Sequence, residues 1–242
     1  MKRQNVLLLI IKYASVAAVF LKLIFFNENI FAKEGILPGS SDKDPIVIES
    51  EHLDVSGGGD KLSYIGDVIV TNGPSTMKAG IIKIYLSPRE EKDKSASTDE
   101  RLKNIEAENS VVIDTKKDVY SGDRLTYDKG QNKIYLNGNV IVKQKDSTIK
   151  SEVLIYDKTT EKALLTGKVF YMAKDTNVSG DKMEYDRKNN KAIITGNVTY
   201  TKNDAVVRGN KMTYDFTTAE GFVENTDNST RVKAIFTPGL MK

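Results

Sequence analysis

Four tyrosines, Tyr127, Tyr156, Tyr185 and Tyr214, recur every 29 residues, and Gly138, Gly167 and Gly196 recur at the same interval. A fixed period of this length marks a stack of identical supersecondary units, because one unit alone cannot bury its apolar face. The unit is clearest from Ser147 to Tyr171. An extended apolar segment ends in Tyr156-Asp157, a polar turn runs from Lys158 to Lys162, and a second extended segment is interrupted by Gly167. Further copies fall on 118–143 and 177–201, and a decaying copy starts near Ala205. Upstream, 77–114 is a copy with Tyr85 at the tyrosine position, and 46–71 is one with Val55 and Gly66. Tyr85 and Tyr127 are separated by 42 residues, which places a 13-residue insertion within 87–104, a run dense in charge that reads as a surface loop at a hairpin turn.

Within each copy apolar residues alternate with polar ones, the pattern of a half-buried strand. Leu125, Leu154, Met183 and Met212 precede the tyrosines by two. Leu136, Leu165 and Ile194 follow the turn, Val140, Val169 and Val198 follow the glycine, and Ile149 and Val178 lie before the next bend. Glycine inside a strand marks a bulge or a sharp bend. The expected fold is therefore all-β: a jelly-roll or flattened solenoid of stacked, antiparallel bent hairpins. Two facing sheets would enclose an apolar interior, and two ends would remain open. By itself the apolar stripe reads first as a packed core and second as a groove that accepts a lipid. The tyrosines read as strand packing with exposed hydroxyls.

The chain has 242 residues. Residues 1–32 combine a basic start (Lys2, Arg3) with an apolar run and end in Ile30-Phe31-Ala32, which fits a secretory signal peptide. An uncleaved anchor is the competing reading, although Lys12 and Lys22 interrupt the span and a central lysine costs roughly 2.5–3.5 kcal/mol. Residues 33–45 are a Gly/Pro/Ser/Asp linker, the repeat domain occupies 46–236, and 237–242 form a tail. The leader holds four of the 36 basic residues and one of the 33 acidic ones, so the remainder carries 32 of each. A neutral domain has no excess charge to hold a nucleic-acid backbone. The absence of cysteine excludes thiol catalysis and zinc–thiolate sites. His52, the only histidine, reads as a strand-face residue, so no metal is expected. Asp128, Asp157, Asp186 and Asp215 follow the tyrosines and read as turn formers, where Asp bonds the local backbone. Gly57-Gly58-Gly59-Asp60 reads as a hairpin turn, since no helix or Lys-Ser/Thr follows as a phosphate loop would need. No nucleophile–base pair is visible; neither enzymatic activity nor a cofactor is expected.

The recurring Ser-Gly-Asp…Tyr-Asp…Gly-Asn-Val pattern, as at Ser121-Gly122-Asp123, Tyr127-Asp128 and Gly138-Asn139-Val140 and again from Ser179 to Val198, resembles the OstA-like domain of the LptA family of periplasmic lipopolysaccharide-transport proteins. The likeness extends from Ile46 to about Phe236, and LptC and the N-terminal domain of LptD share the pattern. The resemblance implies a carrier that holds lipid A acyl chains inside the jelly-roll and bridges an inner-membrane complex to an outer-membrane translocon. It turns the stripe of Leu125, Tyr127, Leu136, Val140, Ile149, Leu154, Tyr156, Leu165, Val169, Val178, Met183, Tyr185, Ile194, Val198 and Met212 into a candidate acyl-chain groove. The open ends, with Ile46, Val47 and Ile48 at one and Val232 and Ile235 at the other, become candidate edges for LptC-like and LptD-like partners or for head-to-tail self-association. A membrane-anchored LptC-like receptor and a structural β-repeat protein without ligand are the alternatives.

Overall fold

The computed structural model describes residues 46–88, 101–203, 205–215, 217–218, 220–225 and 231–235. The expected leader, linker and tail, and 89–100 of the charged insertion, lie outside the described residues. Fourteen strands follow in order: β1 (Ile46–Glu49), β2 (His52–Ser56), β3 (Lys61–Asn72), β4 (Ser75–Leu86), β5 (Leu102–Asp114), β6 (Val119–Asp128), β7 (Lys133–Lys143), β8 (Ser147–Asp157), β9 (Lys162–Ala173), β10 (Thr176–Asp186), β11 (Lys191–Lys202), β12 (Ala205–Asp215), β13 (Glu220–Glu224) and β14 (Lys233–Ile235). They form one sheet in which β3 to β13 are hydrogen-bonded in chain order. β1 and β2 both lie along β3, and β13 and β14 both lie along β12. Residues 57–59 make a short 3-10 turn between β2 and β3, as the hairpin reading of the glycine run requires.

The expected all-β fold of stacked, antiparallel bent hairpins is what the chain adopts, and the ladders continue through each bend, so the described strands share one sheet. The bend is a one-residue bulge. β10 pairs with β11 in one register from Thr176 to Ser179 and in another from Lys182 to Asp186, with the extra residue on β11. The β3–β4, β4–β5, β5–β6, β9–β10 and β11–β12 ladders shift at the corresponding place. An extra residue bends the strand and sharpens its twist without ending it.

The backbone at the bulge explains the motif. Gly196 and Asn197 both have positive φ, 77° and 48°. Glycine enters this left-handed region freely, and Asn tolerates it better than most residues. The Asp181 carboxylate covers the Gly196 Cα so closely that a β-carbon there would collide with it, and Asn197 Nδ2 donates to Asp181 Oδ2 at 2.9 Å. Asp123 covers Gly138 in the same way and accepts from Asn139 at 3.0 Å. Thus Gly-Asp on one strand and Gly-Asn on the next are two halves of one bend. β5 makes the bend without glycine: Asn109 and Ser110 take the left-handed pair, at 67° and 63°.

The insertion leaves the ladder at a closed base. Ser87 N–H donates to Arg101 C=O at 2.6 Å, and the buried Arg101 guanidinium reaches Asp60 Oδ1 at 2.6 Å and Ser87 C=O at 3.0 Å. Residues 102–104, expected within the insertion, are already β5, with Leu102 opposite Leu86.

By backbone contacts the described residues fall into two units, one within Ile141–Glu152 and Glu161–Lys242, the other within Glu28–Val140 and Val153–Thr160; we call them the C-terminal and N-terminal units. Turn carboxylates behave alike in both. Asp157 Oδ1 accepts from the amides of Thr159 and Thr160 at 2.9 and 3.0 Å. Asp186 accepts from the Asn189 amide at 3.0 Å, Asp215 from the Thr217 amide at 2.8 Å, and Asp128 from the Gln131 amide at 3.0 Å. Lys133, Lys162 and Lys191 pair with Asp157, Asp186 and Asp215 at 3.8, 3.1 and 3.2 Å.

Two expectations follow. Gly196→Ala forces a side chain into a left-handed, carboxylate-covered position and lowers stability by about 2 kcal/mol. Gly130→Ala, in an exposed turn without positive φ, changes it little; urea unfolding of both variants checks this. The second concerns acid. The Thr160 amide holds the Asp157 pKa below the usual carboxylate value, against a smaller desolvation effect. For Asp186 and Asp215 desolvation is the largest single effect and pushes upward, but amide, Asn189 and lysine contacts together outweigh it. Lowered folded-state values contribute stability that is fully present above the unfolded pKa of about 4 and is lost as pH falls through the folded values. The Asp157→Asn, Asp186→Asn, Asp215→Asn triple variant should therefore show a shallower loss of melting temperature below pH 4 than the natural chain.

Candidate functional site

The buried face of the strands is the candidate site. On β10 the buried set changes parity across the register shift, on β11 alternation runs through it unbroken, and the extra residue on β11 keeps the two sets opposite each other. In β10, Thr176, Val178 and Gly180 are buried on one side of the shift and Met183 and Tyr185 on the other. In β11 the buried set is Ala192 and Ile194, then Val198 and Tyr200. One face therefore stays apolar on both sides of each bend.

In the N-terminal unit, Leu125, Leu136, Val140, Leu154 and Tyr156 of the expected groove are buried. Tyr127 is not fully buried; its ring carries the Lys158 ammonium 5.2 Å from its centroid. In the C-terminal unit, Ile149, Leu165, Val169, Val178, Met183, Tyr185, Ile194, Val198 and Met212 are all buried. Their spacing across strands is complementary. Tyr185 stands between Ala163 and Ala192, and Tyr214 opposes Ala192, so each large ring has a methyl beside it. Met183 stands between Leu165 and Ile194, and Met212 faces Ile194 and Val223. Thioether side chains adapt to irregular apolar surfaces better than branched ones do.

The expectation of exposed tyrosine hydroxyls fails for most of the column. Tyr156 and Tyr185 are each 1% exposed and Tyr214 is buried. Tyr185 Oη donates to Asn190 Oδ1 at 3.2 Å inside the protein, and Asn190 in turn donates to Thr217 at 3.3 Å. The turn asparagine supplies what solvent was expected to supply. Burial pushes the Tyr120 phenol well up, helped by Asp118 and Tyr156, and pushes Tyr214 to about 12. These phenols stay neutral at any physiological pH, so the face offers apolar contact and hydrogen-bond donors rather than charge.

Several buried residues of the N-terminal copies, among them Val68, Ile82, Ile105, Ala107 and Val111, extend the same face but were not among the expected groove residues. Val55 replaces the tyrosine there and the insertion breaks the 29-residue count, yet the spacing from Asn109-Ser110 to Gly138-Asn139 is again 29 and would have located them.

The edges are built alike. β1 pairs Ile46–Glu49 with β3 residues 69–72, while β2 pairs with residues 61–65. The break between them falls at the β3 bulge, where Glu51 N–H donates to Gly66 C=O at 3.2 Å. Ile46 and Val47 are 43% and 50% exposed and Ile48 is half-buried. At the other end β13 and β14 divide β12 in the same manner, with Val232 half-buried and Ile235 exposed. Among the described residues neither edge has a further strand beyond it. His52 lies exposed on β2, and no cluster of three or more His, Cys, Asp or Glu suited to a metal occurs among the described residues.

Among curated proteins none matches the sequence. A solved structure described as LptH, the LptA-homologous periplasmic component of the lipopolysaccharide transport device from Pseudomonas aeruginosa, is similar at a TM-score of 0.43 and 14% identity, over 55% of this chain and 96% of that one. The family described as LptA/(LptD N-terminal domain) LPS transport protein matches residues 47–162 and 158–220. With most of the strands inside those two matches, the chain belongs to the LptA/LptD N-terminal domain family of lipopolysaccharide-transport proteins.

Proposed function

We propose that this chain is a periplasmic, non-enzymatic carrier that receives the acyl chains of lipopolysaccharide along its buried apolar face. It would pass the lipid from an inner-membrane complex toward an outer-membrane translocon. The observation that carries the reading is the buried face that stays apolar on both sides of each bend, strand after strand, in a family member. The physical demand is clear. Exposing an acyl chain of ~14 carbons to water costs on the order of 10 kcal/mol at about 0.8 kcal/mol per methylene. Crossing an aqueous compartment therefore needs an apolar sleeve, while sugars and phosphates can remain in solvent. The divided edge strands, with Ile46, Val47, Ile48, Val232 and Ile235, are the proposed joints to LptC-like and LptD-like partners or to a second copy of this chain. Strand addition supplies main-chain hydrogen bonds without demanding a particular sequence.

The leader is proposed to be cleaved after Ala32. N-terminal sequencing of the exported protein should begin at Lys33; an intact leader would instead favour the anchored receptor. For the groove, Leu165→Glu and Ile194→Glu each place a charge on the apolar face. In variants whose circular dichroism matches the natural chain, lipopolysaccharide binding should fall by at least tenfold. Undiminished binding by a folded variant would rule out this face as the acyl site. Mass spectrometry of lipids that copurify under gentle extraction separates the carrier from a ligand-free structural repeat.

A further inference from the structure

Two phenols in the C-terminal unit are buried without a use in the fold. Tyr171 of β9 and Tyr200 of β11 both stand opposite Val178 of β10, so they flank it on one face. They are 5% and 6% exposed, and neither hydroxyl has a hydrogen-bond partner. Ser147 approaches Tyr171, and Thr176 approaches Tyr200, closely enough to ease ionisation as a weak hydrogen bond would, but neither contact has hydrogen-bond geometry: Ser147 Oγ donates instead to Gln144 Oε1 at 3.0 Å and Thr176 Oγ1 to Asp175 Oδ1 at 3.3 Å. Buried polar groups are almost always bonded, and one left unmade forfeits its hydration without return.

The repeat shows that packing does not call for these hydroxyls. Stepping back 29 residues from Tyr200 to Tyr171 leads next to Val142 and then to Ile113. Both are buried, so an aliphatic side chain fills the same place in other copies. A third phenol, Tyr214, reaches the pair from the other side of the bulge, close enough to disfavour ionisation of Tyr171. Burial holds Tyr200 up to about 12 and Tyr171 higher still, so both remain donors over the whole physiological range.

We propose that Tyr171 and Tyr200 form a polar recognition point inside the C-terminal unit, donating hydrogen bonds to the uncharged oxygens of an acylated amphiphile: ester or amide carbonyls, or a hydroxyl on the chain. The carboxylate of Asp175 acts on both phenols. It would repel a phosphate, which leaves neutral oxygens as the fitting acceptors. Such a pair would fix how far an acyl chain slides along an otherwise featureless apolar face. The proposal rests on the carrier reading and adds to it a register for the bound lipid.

The test uses the full chain and its Tyr171→Phe, Tyr200→Phe and double variants, which lose only the hydroxyls. Displacement of a fluorescent fatty-acid reporter is measured with two probes of equal length, methyl 3-hydroxytetradecanoate and tetradecane. Each single variant should bind the hydroxy ester about three- to tenfold more weakly, and the double variant more weakly than either. Tetradecane should bind as well or better, and the melting temperature should hold or rise. Equal losses for both probes would indicate damaged packing and overturn the assignment. So would unchanged binding of the ester. A lower melting temperature without selective loss would show the hydroxyls to be satisfied by internal water, and it too would overturn the assignment. If the natural chain binds neither probe, the carrier reading itself fails and takes the proposal with it. Binding by the natural chain with no change in the variants removes the tyrosine assignment alone.

Discussion

A carboxylate held over a left-handed backbone pair is the interaction on which the rest of this structure depends. Asp181 over Gly196-Asn197 and Asp123 over Gly138-Asn139 each join a bend in one strand to its neighbour. Without the bend, a 12-residue strand such as β11 would continue straight. Without the extra residue, the buried side chains of β11 would fall out of step with those of β10 beyond the bend. The bulge solves both problems at once. It is also why the most recognisable residues of the repeat lie on the outside: Asp123 and Asn139 are exposed, and they shape the backbone rather than touch the buried face.

Around this bend the remaining interactions are local and repetitive. Turn carboxylates accept backbone amides, and lysines at strand starts reach the same carboxylates from the adjacent strand. Exposed ion pairs of this kind contribute little singly. Their value is registry, because each marks where one strand must stop beside the next. The interior is governed by volume instead. Tyrosine beside alanine and methionine beside leucine or isoleucine fill space with uncharged groups.

The period, the strand pairs and the apolar stripe were legible in the sequence because a 29-residue repeat prints each rung several times. Tyr156, Leu165, Met183 and Ile194 are buried where alternation places them. Three features were not legible. Continuity of the sheet through the bends depends on φ angles at Gly-Asn pairs, and a glycine in a sequence marks a bend without saying whether the ladder survives it. The buried state of the Tyr185 hydroxyl depends on Asn190, a turn residue whose side chain points back into the protein. Asn109-Ser110 performs the glycine's role with no glycine present, so a search for glycine passes over β5, and only its 29-residue distance from Gly138-Asn139 points to it. In each case the deciding interaction joins residues whose partnership only the folded chain reveals.

The divided edges have a further consequence. Each outermost long strand is lined by two short ones that meet at its bulge. A flat strand laid against such an edge can match the first segment or the second, but its hydrogen-bonding groups fall out of step across the break. Only a strand with a matching kink can follow the whole border. The defect that bends the sheet would therefore also select among strands laid along its border, favouring those that share its geometry over straight ones.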